Sequence, residues 1–204
     1  LKRNASIRTI IFDLSEVLIS GLVGIERPLS EKLRISEDSI SKAFYNDCLA
    51  ELCRGAISEV SYLKHVVSEN GWSIPLEVLK RVIRENFHHR IPGMAPILDR
   101  LKGRYELALL SDHVREWIAY IRSIHPFLEA FDHFFFSFVL GTTKDDPATF
   151  RAVLEALHRD PAACLFIDDN PMNIETATSL GISCVRFISA ADLSHRLEAL
   201  GLWR

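Results

Sequence analysis

Ile7-Arg8-Thr9-Ile10-Ile11-Phe12-Asp13-Leu14-Ser15-Glu16-Val17 is an apolar run that ends in an aspartate. A buried β-strand that stops on a carboxylate delivers it to the edge of the sheet, where open α/β sheets hold their ligands. Asp13 is therefore the first candidate for chemistry. The plainer alternative is an aspartate that caps the next turn or helix. Further apolar runs lie at Tyr105–Ser111, His133–Val139, Ala163–Asp168 and Ser183–Phe187, the last four runs being separated by helical patterns. That alternation predicts βαβ units and a parallel sheet.

Between Val17 and Tyr105 there is no strand signal, and the stretch is too long for one crossover. Amphipathic patterns over Pro28–Arg34, Glu37–Cys53, Ser58–Asn70 and Pro75–Phe87 predict a helical insert. Its breaks fall at Arg54-Gly55, Asn70-Gly71 and Ile91-Pro92-Gly93. Leaving and re-entering beside Asp13, such an insert would overhang that carboxylate as a lid. The expected division is a core of residues 1–18 and 90–204 with a cap of residues 19–89.

Of 204 residues 48% are hydrophobic and 25% charged, with a formal net charge of -3, which is ordinary globular composition for one to two domains. Acids and bases are interspersed, so no basic field marks a nucleic-acid partner. No apolar stretch reaches spanning length, which argues against a membrane partner. Leu1-Lys2-Arg3-Asn4 leads straight into a strand rather than a signal-type segment, and a cytoplasmic protein is expected. Cys48, Cys53, Cys164 and Cys184 have neither zinc spacing nor the density of a disulfide framework, and none is given a role.

Three further sites sit at the ends of the later strands. Leu107-Ala108-Leu109-Leu110 ends in Ser111; Gly141-Thr142-Thr143-Lys144-Asp145-Asp146-Pro147 puts a lysine just before a helix; Leu165-Phe166-Ile167 ends in Asp168-Asp169-Asn170-Pro171. Each has a plain reading as a cap or a solvated loop charge. Gathered around Asp13 by a parallel sheet, they make one site instead. Three carboxylates brought together repel one another unless a hard divalent ion such as Mg²⁺ neutralises them. Lys144 and Ser111 would then supply a cation and a hydroxyl donor to the anionic oxygens of a phosphoryl group in transfer.

Phe-Asp-Leu-x-x-Val-Leu at Asp13, Leu-Leu-Ser at Ser111, Gly-x-x-Lys-x-Asp-Pro at Lys144 and Phe-Ile-Asp-Asp-Asn at Asp169 resemble the four ordered motifs of the haloacid dehalogenase superfamily. The resemblance continues through Asn173-Ile174-Glu175 and Gly181-Ile182, and Arg54-Gly55-x-Ile57-Ser58 is similar to the helical cap of the branch with sugar-1-phosphate phosphatases. It implies a Rossmann-like α/β sheet in the order 3-2-1-4-5 with a four-helix cap. Asp13 is then the nucleophile that forms an aspartyl-phosphate. Mg²⁺ is held by Asp13, Asp169 and the Ser15 carbonyl, with Asp168 in the outer shell, while Ser111 and Lys144 bind phosphate.

Three positions depart from the family pattern. Ser15 stands where most of its phosphatases have an acid-base aspartate, a group usually associated with a rate factor on the order of 10² to 10⁴. Asp112 replaces the usual asparagine near the phosphate, and Asp145 replaces proline after the lysine. Glu16, Asp112 and His113 are the nearest stand-ins for the acid. Glu16 is expected to point away, and His113 to lie on the surface of the helix starting at Val114. His88-His89 is expected to answer the helix dipole rather than bind metal, and Trp117 and Phe134–Phe136 are expected in the core. Arg54 is equally a substrate-binding cap residue or a solvated helix end.

The expected function is a Mg²⁺-dependent phosphatase acting on a small phosphorylated metabolite, sugar phosphates included, as a monomer or homodimer. The alternatives are a phospho-ligand-binding or regulatory protein with little turnover, and a metal-free 2-haloacid dehalogenase.

Overall fold

The structure, a computed structural model, describes residues 7–203. The expectation about Leu1–Asn4 lies outside them. The elements run β1 (Thr9–Phe12), α1 (Glu26–Leu33), α2 (Glu37–Phe44), α3 (Asp47–Cys53), α4 (Glu59–Glu69), α5 (Leu76–Asn86), α6 (Met94–Leu101), β2 (Glu106–Ser111), α7 (Arg115–Ile124), β3 (His133–Phe136), α8 (Ser137–Leu140), α9 (Pro147–Leu157), β4 (Cys164–Asp168), α10 (Pro171–Ser179), β5 (Ser183–Arg186) and α11 (Ala190–Ala199). All strand pairs are parallel, in the order β3-β2-β1-β4-β5. The expected sheet is therefore the one observed.

The central strands are apolar along most of their length because both faces are covered. Ile10, Phe12, Leu107, Leu109, Leu165 and Ile167 join one buried cluster, and Ile11, Ala108, Leu110 and Phe166 join the other. Phe150, Val153 and Leu157 of α9 and Ala177 of α10 complete the second cluster. The first takes in α6, α7 and α11 and runs without a break into Phe44, Tyr62, Leu63, Val66, Val82 and Ile83 of the insert. Strand order reverses between β1 and its two neighbours, so the loops after β1, β2 and β4 open onto a shared crevice at their carboxyl ends.

All four expected helical stretches of the insert are present, but Glu37–Cys53 is two helices. Asn46 breaks it: its amide donates to the Ala43 carbonyl (2.8 Å) while its own backbone turns extended to begin α3. The third strand ends at Phe136, short of the expected Val139, and Ser137–Leu140 is one turn of helix closed by Gly141 at φ 73°. Ser137 is spent on tertiary bonds instead, accepting from the His113 amide (2.9 Å) and donating to the Cys53 carbonyl (2.6 Å).

The insert is docked on the core by polar ties as well. Glu59, 3% exposed at the start of α4, takes a two-pronged contact from Arg84 of α5 (2.6 and 2.9 Å) and a bond from the Trp117 indole of α7 (2.7 Å). His125 pairs with the Phe87 carbonyl (2.7 Å), and Asn86 donates to the carbonyls of Gly21 and Val23, fixing the entry segment of the insert beside its exit.

Candidate active site

Asp13 follows β1 directly, its amide donating to the Ile167 carbonyl (2.9 Å), so the sheet itself fixes its backbone. Its Oδ1 lies 2.7 Å from Lys144 Nζ, and the same ammonium lies 2.7 Å from Asp168 Oδ2. All three side chains are buried, at 6%, 2% and 0% exposure. Asp13, Asp168 and Asp169 bring carboxylate oxygens within 4.8 Å of one another. Burial pushes the Asp13 carboxyl well up, Lys144 opposes the rise, and Asp168 and Asp169 add to it. Burial alone would lower Lys144; the carboxylates of Asp13, Asp168 and Asp112 outweigh it and hold the ammonium protonated.

The two adjacent aspartates have different surroundings. Asp168 is saturated: Oδ1 accepts from the Asn170 amide (2.8 Å), Oδ2 from Lys144, and both from Asn173 Nδ2 (3.1 Å each). Asp169 is half-buried at the cavity wall and is pushed up by burial and by Asp168. Oxygen donors of Asp13 and Asp169 thus face a space with one ammonium to balance three carboxylates, a donor set that fits a hard divalent cation. Asp168 fits the role of a saturated neighbour that orients Lys144.

Ser111 ends β2 fully buried, and its Oγ has no hydrogen-bond partner among the described residues, an unmet donor at the sheet's edge. Asp112 accepts the Lys144 amide with both oxygens (3.2 and 3.0 Å), so the acid at this position clamps the lysine loop. That bond, with Thr143 donating to Asp145 (2.6 Å) and Thr149 to the Thr143 carbonyl (2.7 Å), braces a loop that lacks proline. Burial, above all, pushes the Asp112 carboxyl up.

Ser15 and Glu16 lie in the turn after Asp13. Gly21 approaches so closely that a Cβ there would stand 2.8 Å from the Ser15 side chain, which requires glycine. Glu16 has φ 60°, the left-handed region, and its Oε1 accepts the Gly21 amide (2.7 Å). It nonetheless lines the cavity, contrary to the expectation that it points away.

His113 is also corrected. It is 3% exposed, packed against Phe87 and Trp117 at ring distances of 5.7 Å, because the distant insert covers it. Nδ1 accepts the Val114 amide (3.0 Å), and burial drops the imidazole to about 3, so it has no proton to give near neutrality. Arg54 is exposed at the end of α3 and is not brought to the cavity. His88 bonds Tyr120 (2.8 Å) and His89 the Asn86 carbonyl (3.1 Å), and they form no metal pair.

A cavity of about 450 Å³ lies over this floor, lined by Asp13, Ser15, Asp112, Lys144 and Asp169 below. Above are Tyr45, Leu49, Ala50 and Cys53 of the insert, with Phe87 and Trp117. Trp117 is thus both core and cavity wall, and Cys53, a thiol that burial pushes up to about 12, lines the site that the spacing of cysteines gave no reason to suspect. Asn173, quoted in the resemblance without a role, takes one here as an amide on the first turn of the helix after Asp168-Asp169, donating to Asp168.

The family model of haloacid dehalogenase-like hydrolases matches residues 7–181. Flavin mononucleotide hydrolase 1 of Arabidopsis thaliana is 27% identical over 74% of this chain, which spans 61% of that relative's length. D-ribitol-5-phosphate phosphatase of Bacteroides thetaiotaomicron is 22% identical over 95% of this chain and 98% of its own. A solved structure from the same organism, a family enzyme in complex with magnesium and inorganic phosphate, superposes with a TM-score of 0.75 at 21% identity, covering 98% of this chain and 100% of that one. That likeness is one of fold.

Proposed function

This chain belongs to the haloacid dehalogenase-like hydrolase family, and we propose that within it the protein is a Mg²⁺-dependent phosphatase of small phosphate monoesters. Asp13 is the nucleophile. The observation that carries this reading is the buried Asp13–Lys144–Asp168 bridge beside Asp169. The Lys144 ammonium favours the charged form of Asp13 against the burial that raises it, and it aims the carboxylate in a water-poor site. In this reading residues 19–89 are the cap over a core of residues 1–18 and 90–204.

Asp13, Asp169 and the Ser15 carbonyl would hold the cation. When bound, Mg²⁺ neutralises charge on the phosphoryl oxygens. Ser111, whose Oγ lacks a partner, and Lys144 donate to those oxygens. An Asp13 carboxylate oxygen attacks phosphorus, the ester P–O bond breaks, and the departing alkoxide takes a proton from water. A second water, giving up a proton to the hydroxide so formed, then attacks the phosphorus of the aspartyl-phosphate, the bond to Asp13 breaks, and hydrogen phosphate leaves with the Asp13 carboxylate restored. Asp168 and Asn173 act as positioning residues for Lys144.

Each nearby stand-in for the missing acid at Ser15 is already engaged or neutral. His113 is neutral, Asp112 accepts the Lys144 amide, and Glu16 accepts the Gly21 amide. Esters whose alcohol leaves readily are therefore the better substrates.

The test is phosphate release from a panel holding acetyl phosphate, an anomeric sugar phosphate, ribitol 5-phosphate and flavin mononucleotide, with and without Mg²⁺, for wild type and Asp13→Asn. Release that needs both the metal and Asp13 supports the phosphatase. A folded protein that binds phosphate yet releases none from any ester would instead support a phospho-ligand-binding role.

A further inference from the structure

The cavity walls carry information about the other half of the substrate. Its insert-side surface is Tyr45, Leu49 and Cys53 with Leu22, Phe87 and Trp117, none of them charged. Among the described charged residues that line the cavity Lys144 is the one cation, and its Nζ is held at 2.7 Å by both Asp13 and Asp168. The others are acids, Glu16, Asp112, Asp145 and Asp169 among them. A second anionic group on the substrate would find no cation on these walls and several carboxylates nearby. The mouth has the same character. Tyr45 and Met172 line the cavity and are 50% and 61% exposed, an apolar rim that water covers at a cost.

We infer that the leaving group is an uncharged alcohol bearing an apolar or aromatic ring, recognised by stacking on Tyr45 and apolar contact with Leu49 and Met172. This rests on the phosphatase reading and adds the substrate class to it. Monoesters that carry a second phosphate or a carboxylate are rejected, and open-chain polyols gain less than a ring does because the insert-side walls offer hydroxyls few partners. A flat ring is the shape that aromatic walls reward most.

Two primary-alcohol esters with similar leaving groups separate recognition from leaving-group quality: 2-phenylethyl phosphate and glycerol 3-phosphate. Their binding to Asp13→Asn with Mg²⁺ is measured by calorimetry, alongside fructose 1,6-bisphosphate. The ring-bearing ester is expected to bind about tenfold or more tightly than either. Tyr45→Arg, at an exposed position, narrows that gap by weakening the ring ester and strengthening the bisphosphate, whereas Tyr45→Phe preserves it. Equal or tighter binding of glycerol 3-phosphate or the bisphosphate by the Tyr45-intact protein overturns the inference, whether or not wild type turns anything over. Hydrolysis of acetyl phosphate by wild type is scored separately and bears on the phosphatase reading alone.

Discussion

The floor and the roof of the cavity are built on opposite principles. The floor is made of strand ends and the loops after them, where Asp13, Asp168, Lys144 and Asp112 hold one another through bonds of 2.7–3.2 Å. The roof comes from helices of the insert and α7, and meets the cavity with aromatic, aliphatic and thiol groups. Chemistry that moves a phosphoryl group needs charges fixed before the substrate arrives, and a parallel sheet fixes them by its backbone. Selection of the leaving group needs shape and apolar area, which packed helices provide. In the proposed reaction, charge comes from the strand ends and apolar surface from the helices of the insert and α7.

Lys144→Met breaks the floor most severely. It removes the cation between Asp13 and Asp168 while keeping most of the side chain's length. We expect phosphate release to fall at least ~10³-fold, and stability in urea to drop by about 3–5 kcal/mol because the buried carboxylates lose their partner. An activity loss without any shift in the urea midpoint would mean that the bridge does not organise the floor.

The roof has a smaller and pH-dependent signature through His113, which Phe87 and Trp117 cover. Folded His113 stays neutral down to about 3, whereas an unfolded histidine takes a proton near 6.5. Between those values the unfolded chain binds the extra proton, so stability falls as pH drops below 6.5, by up to about 1.4 kcal/mol per pH unit from this group. His125, lowered mainly by burial, acts in the same direction. Urea midpoints measured from pH 7 to pH 4.5 should fall less steeply for His113→Leu than for wild type. Identical slopes would place the acid sensitivity elsewhere.

Much of the floor was legible in the sequence because most of its residues sit at or just after the stop of an apolar run. Asp13, Ser111 and Asp168-Asp169 follow directly from that rule, as does the sheet that gathers them. The roof was not. His113 reads as the surface start of a helix until Phe87, from a different stretch of chain, is laid over it, and Trp117 reads as core because burial and lining a cavity give the same pattern. Arg54 attracted notice through its charge, but its place at the end of α3 leaves it in solvent. Asp112 was read as a charge facing phosphate, and what it meets is an amide in a distant loop. Each of these depends on which long-range partner arrives, and local pattern carries no record of that.

The central claim is that Asp13 takes the phosphoryl group. It is tested most directly by mixing the Mg²⁺-loaded protein with acetyl phosphate, quenching in acid during turnover, and mapping the phosphoryl adduct by peptide mass spectrometry. The account predicts an acyl phosphate on the peptide that contains Asp13, absent in Asp13→Asn. Sustained phosphate release with no adduct on that peptide, or release undiminished in Asp13→Asn, would contradict it.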